Sequence, residues 1–295
     1  MNSMTPPPKV RTRMVGGIRI HMLEAGLQRL DGGAMFGVVP RTLWERRIPP
    51  DALHRIPLAL RCMLVEAPDA LVLVDTGLGN KESARFQEMY GVENKGELTA
   101  LEDAIREAGF RPDDVDLVVN THLHFDHAGG NTVLQPSGDV VPSFPRAQYV
   151  VDGAELAFAG TANERTRASY LPHNLEAISQ AGLWREVGTE EEVEVTRGVR
   201  MLATPGHTPH HRSVLVGDGA EWAMFLADLC PTVAHLPLPW IMGYDLEPLV
   251  TLESKRRAWE RARDEDWLLL FQHDPQLPWG RLDPQQDRPT LLEGR

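Results

Sequence analysis

Several apolar runs of this chain stop on a histidine or an aspartate, and that repetition limits what the chain can fold into. "LVLV" ends in Asp75, and "DLVVN" runs into His122, His124, Asp126 and His127. "VRMLAT" leads to "PGHTPHH", with His207, His210 and His211. "WAMFLA" ends in Asp228, and "WLLLFQ" runs into His273. Such runs read as strands. A strand end is held rigidly yet opens on one edge of its sheet. If these strands share an edge, their tips surround one small volume with imidazoles and carboxylates.

Neutral imidazole and carboxylate are good ligands for zinc and similar divalent ions. His122 and His124 are two positions apart, so an extended backbone points them the same way. Asp126 and His127 are adjacent and point differently, which suits two metals side by side. His122, His124 and His207 could hold the first ion, and Asp126, His127 and His273 the second. Asp228 could bridge both. Gly129 and Gly130 follow, where the backbone is expected to turn tightly away. Two metals at close range can pin a hydroxide at neutral pH and polarise a carbonyl or phosphoryl oxygen, so the chemistry expected is hydrolysis of an ester-type bond. Zinc is the first expectation. Manganese, iron, cobalt and nickel suit the same donors.

Helical patterns over 98–109, 153–159, about 172–181 and 246–264 separate the later strands, while the earlier strands cluster. The result expected is an α/β chain built as a layered sandwich rather than a repeating barrel. No repeat or Gly/Ser linker divides the 295 residues. Residues 1–15 are expected to be a tail, 16–280 a single domain and 281–295 a second tail.

The net charge of −12 argues against nucleic acid and anionic membranes as partners. Two cysteines, Cys62 and Cys230, with no Cys-x-x-Cys pair, leave no disulfide framework or thiolate cluster to expect. Together with a polar, Pro-rich N-terminus and no membrane-length apolar run, this makes a reducing cytoplasm the expected location. His21, His54 and His173 read as ordinary core or surface residues.

The order "HLHFDH", "PGHTPHH", an Asp and a final His resembles the metallo-β-lactamase superfamily. Within it, "VDTGLGN", "GFRPDDVDLVVNTHLHFDHAGGN" and "TPGHTPHHRSVLV" look like the N-acyl-homoserine lactonases. "LDGGAMFGVVPRTLW" is similar to that branch and to the methyl parathion hydrolase group. The resemblance implies a four-layer αβ/βα sandwich of two mixed sheets flanked by helices, with a dinuclear site at one edge. It implies the same ligand set and a second role for Asp126, protonating the departing alkoxide. Asp75 would orient a ligand histidine, and His211 would stand behind the ligands. A lactone is the first substrate expected. The alternatives are a phosphotriester or aryl ester and, outside hydrolysis, an iron-dependent redox relative.

Two departures stand out. His210 replaces the motif's usual glycine. Pro231 stands where lactonases have a substrate-holding tyrosine, with His235 and Tyr244 the nearest replacements. The apolar stretches Gly33–Trp44 and His235–Tyr244 are expected to wall a pocket or to pair in a homodimer. Phe36, Trp44, His235, Trp240 and Tyr244 are the candidate substrate contacts.

Overall fold

The structure, a computed structural model, describes residues 9–286 and 288–292. The strands run in chain order β1 (Val10–Val15), β2 (Ile18–Asp31), β3 (Arg55–Glu66), β4 (Leu71–Val74), β5 (Leu117–Val119), β6 (Thr132–Leu134), β7 (Val140–Pro142), β8 (Gln148–Asp152), β9 (Trp184–Val187), β10 (Glu192–Thr196), β11 (Val199–Ala203), β12 (Arg212–Asp218), β13 (Glu221–Phe225), β14 (Leu268–Leu270) and β15 (Trp279–Arg281). One sheet has the order β1-β2-β3-β4-β5-β8-β9, the other runs β10 to β15 in sequence, and β6-β7 is a separate hairpin. Both sheets are mixed: β4, β5, β8 and β9 are parallel in the first, and only β13-β14 is parallel in the second.

Period-2 alternation explains the layering. Val72 and Val74 of β4 enter the core between the sheets, together with Val214 and Val216 of β12 and Leu268 and Leu270 of β14. The intervening Leu71 and Leu73 turn outward onto Leu101, Ala104 and Ile105 of the helix Ala100–Glu107. On the far side, Met224 and Leu269 meet Ala258, Trp259 and Ala262 of the helix Pro248–Asp264. Each such aliphatic side chain, fully buried, contributes roughly 1.5–3 kcal/mol. The product is the expected four-layer sandwich. Among the described residues, no helix is long and apolar enough to cross a membrane.

Three boundaries differ from expectation. Residues 1–8 of the expected tail lie outside the described residues, but Val10–Val15 is an edge strand, paired antiparallel with β2 across Gly16-Gly17. A Gly-Gly pair between apolar runs is a hairpin signal. At the other end, Arg281 still belongs to β15, and Leu282 is buried and bridged to Leu291. The helix expected near 172–181 is broken into a 3-10 turn, Pro172–Asn174, and the short helix Glu176–Gln180.

Candidate metal centre

The tips of β4, β5, β11, β13 and β14 deliver side chains to one place. After β5 the chain bends at Thr121, is extended at His124 and then enters a single helical turn, Phe125–Ala128. His122 and His124 therefore leave from the segment before the turn, while Asp126 and His127 leave from the turn itself. After β11 the loop carrying His207 is pressed against the helix Pro248–Asp264. Gly206, at φ +135°, has no room for a side chain, since a Cβ there would lie 2.3 Å from Thr251 N. After β13 the chain bends through Ala227 at φ +46° and presents Asp228. His273 follows β14 and is clamped by β3: its Nδ1–H donates to Ala59 O at 2.7 Å, and Ala59 N donates back to His273 O.

Two groups result. Donor atoms of His122, His124, His207 and Asp228 lie within 4.8 Å of one another, as do those of Asp126, His127 and His273. The Asp228 carboxylate spans them. Its Oδ2 is 3.0 Å from His207 Nε2, and its Oδ1 is 3.1 Å from His273 Nε2 and 3.4 Å from His127 Nε2. His207 Nε2 and His124 Nδ1 are 3.0 Å apart, and His273 Nε2 and His127 Nε2 are 3.3 Å apart. All seven side chains are buried.

Burial and the neighbouring imidazoles push His122 and His124 well below the ordinary imidazole range, so both are neutral donors. Burial opposes charge on His207 too, but Asp228 outweighs it and raises His207 to about 10. Burial alone would raise Asp228. His207, His127 and His273 instead hold it well below the usual carboxylate range. His122 Nε2 is buried with no hydrogen-bond partner. A buried ring nitrogen left without a partner among imidazoles and carboxylates is what a divalent cation would use, so the donor set fits the expected metals.

The surroundings orient the rings. Asp75, at φ +55°, accepts from Thr121 N and Oγ1 and from His127 Nδ1 at 2.9 Å. His211 Nε2 accepts from Asp228 N at 3.2 Å, and burial pushes His211 down to about 3. His210 stands apart, edge-on to Phe158. His21, His54 and His173 hydrogen-bond to Thr12 and Glu66, to Arg41 and to Glu82 respectively, away from both groups. Three supports have no local signature in the sequence. Asp245 accepts from His207 Nδ1, Gln28 donates its amide to Asp126 Oδ2, and Glu155 braces the two histidine loops from behind. The expected reason for Gly129 and Gly130 also changes. Neither has a positive φ. A Cβ on Gly130 would lie 2.2 Å from Thr76 O, so close backbone approach is what requires glycine.

A cavity of about 190 Å³ opens on both groups. Leu30, Met35, Leu58, Met242 and Leu246 form its apolar wall, and Tyr90, Tyr244 and Arg165 also line it. Of the candidate substrate contacts only Tyr244 is in this lining. Phe36 is fully buried, stacked on His235 at 4.4 Å and on Trp44 at 5.3 Å, with Trp240 edge-on. His235 spends both ring nitrogens on Thr232 and Met35 O. The two apolar stretches pack the buried Phe36 and Trp44 against the half-buried Trp240, and only Met35, Met242 and Tyr244 reach the cavity from them. Aromatic content marked burial there, not the face that looks at substrate.

A layered α/β sandwich with clustered imidazoles and carboxylates on its strand tips defines a metal-dependent hydrolase class. Residues 56–273 match the model of the Metallo-beta-lactamase superfamily, and the chain belongs to that superfamily and is one of its hydrolases. An N-acyl homoserine lactonase of Bacillus thuringiensis is 29% identical over 267 residues, 87% of this chain and 93% of the relative. A probable metallo-hydrolase of Mycobacterium tuberculosis is 29% identical over 279 residues, covering 83% of this chain and 86% of its own. The crystal structure of a probable metal-dependent hydrolase from Staphylococcus aureus superposes with a TM-score of 0.85 at 28% identity, over 96% of this chain and all of that one.

Proposed function

We propose that the chain is a dinuclear metal-dependent hydrolase that opens lactones, with N-acyl-homoserine lactones the first substrate class to test. The observation that carries the reading is Asp228, whose two oxygens face two separate imidazole groups at 3.0 and 3.1 Å. In this reading His122, His124 and His207 would hold one divalent cation and Asp126, His127 and His273 a second, with Asp228 available to both. Zinc is the first choice for such donors. When bound, the cation pair supplies Lewis acidity and an activated water at neutral pH.

The chain's own residues supply the rest. Asp126 lines the cavity, and the Gln28 amide fixes its Oδ2, so its carboxylate stands where it could take up the proton lost by the attacking water and pass it to the departing ring oxygen. Burial raises the Tyr90 phenol and pushes Tyr244 up to about 12, so both remain neutral donors for a substrate carbonyl. The apolar wall suits an acyl chain. Likeness to the Bacillus lactonase over most of both chains supports the lactone.

A second reading keeps the metals and changes the bond to a phosphotriester or aryl ester. Pro231 in place of a tyrosine, and a lining that includes Tyr90, Phe125 and Tyr244, favour it. Elemental analysis of the purified protein, with kcat/KM for a lactone, a phosphotriester, an aryl ester, a thioester and a β-lactam, separates the two. Two ions per chain and a preference for the lactone are expected. Preference for the phosphotriester would overturn the lactone assignment, and a metal-free, active chain would overturn the whole reading.

A further inference from the structure

Glu155 is a fully buried carboxylate on the short helix Gly153–Ala159, outside every motif that the sequence offers. Its Oε1 accepts from Leu123 N at 3.1 Å and from the Tyr170 hydroxyl at 2.8 Å, and its Oε2 accepts from the Thr208 hydroxyl at 2.8 Å. Leu123 lies between His122 and His124. Thr208 follows His207. The Tyr170 ring packs edge-on against His124, with centroids 4.8 Å apart. One side chain thus fixes both loops, and an aromatic ring, that determine where His122, His124 and His207 stand.

The other group does not use it. Asp126 is held by Gln28, His127 by Asp75, and His273 by the Ala59 carbonyl. Asp75 reaches both groups, directly to His127 Nδ1 and through Thr121 Oγ1 to His122 Nδ1, whereas the hydrogen bonds of Glu155 to the ligand loops fall only on the segments that carry His122, His124 and His207. We propose that Glu155 is a positioning residue that sets the affinity of the His122/His124/His207 position and leaves the Asp126/His127/His273 position largely untouched. The inference rests on the two-cation reading above. Groups behind metal ligands commonly change metal affinity about 10–100-fold when lost. A carboxylate that gathers three donors from two loops belongs with such groups, because each donor left unpaired in the interior would pull its loop out of register.

The test is zinc binding to metal-stripped protein, measured in competition with a chelating dye and checked by elemental analysis. The wild type should bind two ions. Glu155→Gln should weaken one of them by tenfold or more and leave the other within about twofold, so that a graded chelator yields a folded, one-ion protein. Thr208→Val and Tyr170→Phe each remove a single donor and should weaken the same ion by less, which keeps the test decisive if Glu155→Gln does not fold. Loss of both ions in parallel, or retention of both at wild-type affinity, overturns the assignment to Glu155 while the two-cation reading stands. A wild type that binds a single ion overturns both.

Discussion

Asp245 accepts the Nδ1–H of His207 at 2.9 Å and so turns the ring's Nε2 toward Asp228 and His124. The two residues are 38 positions apart, and Asp245 is buried in the loop before the helix Pro248–Asp264. The contact fixes both tautomer and orientation of a proposed ligand. Asp245→Asn keeps the shape and removes the charge. Zinc affinity measured by chelator competition should fall about tenfold. Unchanged affinity would mean that the loop backbone alone positions His207.

Gln28 and Asp126 form the corresponding pair on the proposed acid. Gln28 follows a bulge in β2, between Glu24 and Leu27, where Gly26 sits at φ +120°. Bulges re-aim side chains near functional sites. Asp126→Asn should lower kcat for lactone opening by about 10²-fold or more, since a positioned proton donor contributes on that scale. Metal content must be measured beside it, because Asp126 is also a proposed ligand. Full activity at unchanged metal content would remove Asp126 from the proton transfer. Gln28→Leu should give a smaller loss in kcat with little change in metal content.

These pairs show where the sequence was legible. The residues of the two clustered groups are close in sequence or stand on the tips of strongly apolar strands, so spacing and pattern expose them: His122, His124, Asp126, His127, His207, Asp228 and His273. Asp75 ends an obvious strand and could be named for the same reason. Gln28, Glu155 and Asp245 act across the fold on residues between 32 and 98 positions away, and no local pattern distinguishes them from ordinary polar residues. The aromatics Phe36, Trp44 and Trp240 show the opposite limit. Their composition announced burial, but one apolar cluster can face a substrate or face itself, and only packing decides between the two.

Gly130 offers a test of packing behind the centre. Its missing side chain lets the 129–131 turn lie on Thr76, beside the loop that begins at Asp75, and Gly130 N donates to Gly77 O. In Gly130→Ala the new methyl would meet backbone oxygen rather than the end of a flexible side chain. Overpacking of this kind typically costs about 1–3 kcal/mol. The urea midpoint of metal-free protein should drop accordingly with unchanged slope, whereas an unshifted midpoint would show that the 76–79 loop yields without cost.

His235 gives the chain a pH dependence independent of metal. In the folded state its ring is stacked on Phe36, one nitrogen bonds to the Thr232 hydroxyl and the other to Met35 O, so the neutral form is fully partnered. Burial pushes it down from 6.5 to about 3. The folded pKa lies below the unfolded one, so the unfolded chain binds the proton first as pH falls. The stability held through this ring is therefore fully present above about pH 6.5 and lost progressively toward pH 3, at roughly 1.4 kcal/mol per pH unit for one proton. His235→Gln keeps polar atoms at the site and cannot titrate there. Urea midpoints of chelator-treated protein at pH 7.5 and 5.5 should differ clearly in the wild type and by less in His235→Gln. Equal differences in the two proteins would show that His235 takes up its proton without unfolding.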